Sequence, residues 1–142
     1  MRVSAKAEYA IKAVLDLAMH QRAELIPIQD IAARQAIPQR YLEQVLLALK
    51  RSGLLTSKRG SSGGYHLTRP PEDITVGAVL RAVEGENAPF EVLGRGGNGY
   101  DLVALWTEIA EAVSGVVDGL TFGELAARVR ERRAAVRSMY YI

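Results

Sequence analysis

The chain has 142 residues, 49% of them hydrophobic and 24% charged, with a formal net charge of +2 and no cysteine. That length suits one domain with a sizeable core, with or without a helical appendage, and the missing cysteine excludes a disulfide framework and thiolate metal sites. No apolar run approaches the roughly 18 residues that span a bilayer, and Lys6, Glu8, Lys12 and Asp16 break the N-terminal stretch, so a soluble, unprocessed cytoplasmic protein with no membrane partner is expected.

In chain order, Ser4 is placed to cap a first helix running to about residue 21, with Ala10, Ala13, Val14 and Leu17 on its buried stripe. Arg2, Ser4 and Lys6 stand at its start, where backbone N–H groups and positive charge can clamp a phosphate. The same three residues also read as plain surface. Ile28, Ile31 and Ala32 predict a short second helix, followed by a turn at Ala36-Ile37. Pro38 then opens a third helix, since proline suits a first helical position. This helix buries Leu42, Val45, Leu46 and Leu49, spaced i, i+3, i+4, i+7, and stops at Gly53, which can take a left-handed cap. Its opposite face carries Gln39, Arg40, Glu43, Gln44, Lys50 and Arg51, with Tyr41 beside its start.

Residues Leu54 to Lys58 alternate as a strand, Arg59-Gly60-Ser61-Ser62-Gly63-Gly64 turns, and Tyr65-His66-Leu67-Thr68 returns. The turn is no nucleotide-binding loop, because it lacks the GxxxxGK[ST] spacing and no helix follows it. A short helix, a turn, an exposed polar helix and a basic hairpin make a winged helix-turn-helix in a mostly α chain with a small β-hairpin. A helix about 10–12 Å across fits the major groove of DNA, where each base pair shows its own donors and acceptors. Gln39, Arg40, Tyr41 and Glu43 in the first turn are the base-reading candidates, with Lys50 on the same face. Tyr41 can alternatively wedge between helices, and Glu43 can fold back on the helix N-terminus. At the tip, Arg59 is placed for a minor groove or a phosphate, ahead of Lys58.

Pro70-Pro71 closes the wing, and Thr75 caps a helix from Val76 to Glu84 that Gly85 ends. Residues 1–85 thus form the expected DNA-binding domain, 86–100 a Gly-rich loop, and 101–142 the dimerisation and C-terminal helices. Gly94-Arg95-Gly96-Gly97-Asn98-Gly99 matches GxGxxG, but no second strand follows to build a βαβ unit, which weighs against a dinucleotide. From Leu102 the positions Leu102, Trp106, Ile109, Val113, Val116 and Leu120 repeat by 4, 3, 4, 3 and 4. That is a coiled-coil seam and the expected dimer interface, wider than a small monomer could bury. Thr121-Phe122-Gly123-Glu124 is a capping box for a last helix, which ends in a run rich in arginine.

The segments Ala7-Glu8-Tyr9-Ala10, Ile31-Ala32, Tyr41-Leu42-Glu43-Gln44, Gly53-Leu54-Leu55, Arg59-Gly60 and Gly63-Gly64-Tyr65-His66-Leu67, then Ala104-Leu105-Trp106 and Leu120-Thr121-Phe122-Gly123-Glu124-Leu125, follow one another in a specific order and spacing. Through them the chain resembles the Rrf2 family of bacterial transcription regulators along most of its length. The resemblance implies a homodimeric, DNA-binding regulator. Iron–sulfur members hold a cluster with three cysteines in the loop after the fourth helix, where this chain has Gly, Asn and Tyr100. It therefore implies the clusterless branch, with no cofactor, whose known example is controlled by a protein partner; for this chain a regulatory protein partner, a small-molecule effector and constitutive action all stay open.

Charge is divided in keeping with this reading. Residues 1–70 hold eleven Lys and Arg against five Asp and Glu, and residues 71–142 hold seven against eleven. A basic half attracts phosphate, and an acidic half faces away from it. Two other classes stand beside the homodimeric repressor that reads double-stranded DNA. One is a winged helix that binds protein and reads no DNA sequence; exposed Arg40 and Arg59 argue against it. The other is an enzyme, for which the chain offers only His20 and His66, apart from each other, and no metal-ligand or paired-carboxylate spacing.

Overall fold

The computed structural model describes residues 3–20, 25–86 and 100–140. Six α-helices and one hairpin lie in the order α1 (Ala5–His20), α2 (Ile28–Gln35), α3 (Gln39–Arg51), β1 (Leu55–Lys58), β2 (Gly64–Leu67), a 3-10 turn at Pro71–Asp73, α4 (Val76–Glu84), α5 (Tyr100–Gly119) and α6 (Phe122–Tyr140). The mostly α architecture with one small hairpin is the one expected from the sequence. The GxGxxG stretch at 94–99 lies outside the described residues.

Helix α1 is the centre of the core. Ser4 caps it as expected, its Oγ accepting from the Ala7 N–H at 3.0 Å. The small residues Ala7, Ala10, Ala13 and Ala18 beside Val14 and Leu17 let α2, α3, α4 and α6 approach it closely. Helix α3 buries Leu42, Val45, Leu46 and Leu49 as its spacing requires. Full burial of each such side chain stabilises by about 1.5–3 kcal/mol.

Pro38 is the N-cap of α3 and not its first helical residue. Its ψ of 126° is extended, and α3 begins at Gln39. The carbonyl of Pro38 accepts from the Tyr41 and Leu42 N–H groups, so it still starts the ladder. At the other end, Gly53 takes φ 86°, donates to the Lys50 carbonyl, and is followed by Leu54 donating to Leu49. This paired closure by a left-handed residue is the expected glycine stop.

The hairpin pairs Leu55 with Leu67, Thr56 with His66, Ser57 with Tyr65 and Lys58 with Gly64. A third segment joins it: Ile26 and Tyr65 exchange N–H···O bonds of 3.0 and 2.8 Å. A Cβ on Gly64 would lie 2.4 Å from the Ile26 carbonyl oxygen. Only glycine at that position lets the chain ahead of α2 run along the wing, so hairpin and helix-turn-helix are tied together. Thr75 accepts from the Ala78 N–H to cap α4, and Gly85 ends it.

The start of α6 belongs to the same core. Val76 N–H donates to the Leu120 carbonyl and Phe122 N–H to Ile74, both at 2.9 Å. Phe122 is fully buried, with Ala126 one turn later against α1. Beyond residue 129, α6 is exposed.

Candidate nucleic-acid interface

Helix α3 offers one continuous outward face. Gln39, Arg40, Glu43, Gln44, Lys50 and Arg51 are all exposed, opposite the buried leucines. Lys50 and Arg51 in its last turn also complement the negative end of the helix dipole. Leu47 stands on this face as well, a large exposed apolar residue that sequence reasoning did not single out. Tyr41 is 48% exposed, with the Arg40 guanidinium 5.4 Å from its ring centre. It therefore does not wedge between helices. The pair presents a cation backed by an aromatic plane at the first turn, a shape suited to stacking and hydrogen bonding in a groove.

The turn that aims α3 is Ala36, a non-glycine residue in the left-handed region with φ 53° and ψ 44°. Such a conformation costs an alanine about 1–2 kcal/mol. It is held because Ala36 caps α2 and Ile37 behind it is buried, its N–H bonded to the Ala32 carbonyl at 3.0 Å.

On the wing, Lys58 and Arg59 are exposed, and the turn closes through Gly63 N–H to the Gly60 carbonyl. At its root, the Thr68 hydroxyl donates to the Gly53 carbonyl at 2.6 Å, tying the end of the hairpin to the end of α3. His66 Nδ1 lies 2.8 Å from the Leu67 carbonyl, a local structural bond.

Ser4 has two partners within the fold. Its hydroxyl caps α1 and donates to the Glu84 carboxylate at the end of α4. Lys6 is exposed in the first turn, while Arg2 lies outside the described residues.

Sequence reasoning missed a polar clamp beneath the interface. Asp16, noted in the sequence only as one of the charges that break the N-terminal stretch, is completely buried. Arg34 Nε and Nη2 donate to its two oxygens at 2.9 and 2.8 Å, and the Gln35 amide donates at 3.0 Å. These bonds from Asp16 hold the Arg34 guanidinium even more firmly protonated than usual. The signal was Asp16 itself, which falls on the same stripe as Ala13 and Leu17.

Along α5, Leu102, Trp106 and Val116 are exposed by 58%, 38% and 69%, while Ile109, Val113 and Leu120 are half-buried. An apolar helix face of this extent, rimmed by exposed Glu108, Glu111 and Asp118, is unusual on a monomer's surface. Helix α5 is joined to α4 by a bidentate bond from Arg81 to Asp118, which holds the Asp118 carboxyl below the ordinary carboxylate range. Among the described residues no helix is long and apolar enough to cross a membrane.

A helix-turn-helix with an exposed polar second helix, a basic wing on its flank and a separate apolar helix is the build of a winged-helix transcription regulator. The chain belongs to the Rrf2 family: the family model, described as iron-dependent transcriptional regulator, matches residues 3–128. It is 36% identical over 129 residues to the HTH-type transcriptional regulator IscR of Aliivibrio salmonicida, covering 88% of this chain and 77% of that one. Identity to IscR of Escherichia coli K12 is 38%, over 88% and 80%. Among solved structures, IscR of T. potens superposes with a TM-score of 0.82 at 32% identity, covering 99% of this chain and 97% of the other. CymR, the global cysteine regulator of B. subtilis, gives 0.78 at 33%, covering 90% and 98%. The chain is thus a DNA-binding transcription regulator and not an enzyme.

The donor set here does not fit an iron–sulfur cluster held by thiolates. The chain has no cysteine, and among the described residues no three His, Asp or Glu side chains are grouped to hold a metal.

Proposed function

We propose that this chain acts in the cytoplasm as a homodimeric repressor of an inverted-repeat operator, without an iron–sulfur cluster. In this reading residues 1–85 hold the DNA and residues 101–142 pair the subunits. Gln39, Arg40, Tyr41 and Glu43 enter the major groove, where Arg suits guanine and Gln suits adenine. Lys50 meets the backbone, Lys58 and Arg59 meet a phosphate or the minor groove, and Lys6 with Arg2 and the α1 N-terminus clamps a phosphate. The observation that carries the reading is the presence of two exposed faces on one chain: the polar face of α3 and the apolar face of α5.

Dimerisation through the α5 seam sets two α3 helices on one side, and the arginines of α6 lie within reach of the partner's acidic rim. Without thiolates the signal comes from a protein partner or a small-molecule effector. A footprint on the genomic fragment bound most tightly tests the reading. Two protected half-sites one helical turn apart, about 34–36 Å, are expected. A single half-site, or protection with no repeat beneath it, would contradict the dimer. Transcription from the same fragment in vitro should fall when the protein is added, and a rise would make it an activator.

A further inference from the structure

Helix α2 has only eight residues, and Ile31 alone among them is fully buried. Ile28 and Ala32 pack against the core only in part, so apolar contact holds this short helix mainly at one point. A directional hold is added in its last turn, where Arg34 and Gln35 direct three donors at the buried carboxylate of Asp16 in α1. The residue after Gln35 is Ala36, whose left-handed turn starts the path into α3.

Asp16 is buried while the Arg34 side chain is 36% exposed, so desolvation of the carboxylate and solvent screening both offset the attraction, and the pair is weak evidence for stability. The better attested use of such a pair is to select one arrangement among near-equal ones. The planar fork of Arg34 meeting both oxygens of Asp16 is directional in a way that an apolar contact is not.

We propose that Asp16, Arg34 and Gln35 are positioning residues for DNA reading: the clamp fixes the register of α2 on α1, and through the Ala36 turn it fixes the angle at which α3 meets the groove. None of the three needs to touch a base. The inference rests on α3 being the reading helix. Loosening the clamp then costs discrimination, while phosphate attraction by the exposed Lys6, Lys58 and Arg59 persists.

The test compares Arg34→Lys and Gln35→Leu with the unaltered protein. Lysine keeps the charge and loses the fork, and leucine removes one neutral donor. Each variant is titrated against the protein's own selected genomic fragment and against a scrambled duplex, with thermal melting alongside. The ratio of the two affinities should drop about tenfold for Arg34→Lys and several-fold for Gln35→Leu, with scrambled binding and melting nearly unchanged. Discrimination that stays intact in both folded variants overturns the proposal. So does equal loss on both duplexes, which would make Arg34 a phosphate contact or a plain fold-holder. An unaltered protein with no preference at all fails the reading of α3 instead, and the inference falls with it. If Arg34→Lys melts early, Gln35→Leu, which disturbs no charge, decides.

Discussion

Arg81 of α4 grips Asp118 of α5 with two hydrogen bonds, of 2.6 and 2.9 Å, and this clasp is seated over a glycine. A Cβ on Gly77 would lie 1.9 Å from the Asp118 oxygen. The buried Gly77 thus leaves the room in which the clasp sits.

Gly77→Ala gains about 1 kcal/mol of helix propensity, but its methyl displaces the Asp118 carboxylate and the Arg81 guanidinium and opens the clasp. Both are ends of flexible side chains, and a partly exposed pair is worth about 0.2–1 kcal/mol, so net stability should change by less than about 1 kcal/mol. Urea denaturation measures it. A loss of several kcal/mol would show that the helix backbones themselves must part.

The clasp also carries a pH signature. Asp118 titrates below its ordinary value of 3.8 because Arg81 hydrogen-bonds the charged form. A carboxyl lowered by folding contributes stability that is present above the unfolded value and is lost as the pH falls through the lower folded value. The pair is partly exposed, so its worth at neutral pH is about 0.2–1 kcal/mol. Asp118→Asn should lower stability by that amount at neutral pH and by nothing once the pH is below the folded value. A difference that persists at the acid end would assign the loss to packing.

Val116 is the most sensitive probe of the α5 seam, since at 69% exposure it contributes little to the single subunit. Val116→Asp should leave melting of the subunit fold nearly untouched and turn a dimer into a monomer by light scattering. A dimer that survives it, and Ile109→Asp as well, would move the interface to another surface.

Arg59→Ala at the exposed wing tip should weaken binding several-fold and make the salt dependence shallower by about one unit of slope. Arg40→Ala on α3 should instead cost about 1–3 kcal/mol on the preferred sequence and little on scrambled DNA. Fluorescence titrations across a salt series separate the two. Identical profiles for both variants would show that neither residue reads bases.

Most of this architecture was legible from spacing. The i, i+3, i+4, i+7 stripe of α3, the caps at Ser4 and Thr75 and the alternation about a Gly-rich turn each have one local solution. What was hidden depends on distant partners. Asp16 reads as a solvated charge until Arg34 and Gln35, eighteen and nineteen residues on, fold over it. Ile26 has no strand pattern around it, and its pairing with Tyr65 exists because Gly64 clears the space. Pro38 as an N-cap is a one-residue difference that helix propensity does not resolve. The bond from Ser4 to Glu84 spans eighty residues, and nothing in the neighbourhood of Ser4 announces it. Tyr41 was ambiguous because a large aromatic beside a buried stripe suits either side of a helix; it lies on the outer side, with Arg40 over its ring.

The most direct measurement is the affinity of the purified protein for its best genomic fragment, beside a scrambled duplex of the same length, from low to high salt. Sequence-specific reading by α3 predicts a preference of about a thousandfold or more that persists as salt rises, because base contacts remain when counterion release no longer favours binding. Equal affinities that fall together with salt would contradict it, leaving a basic surface that holds DNA without reading it.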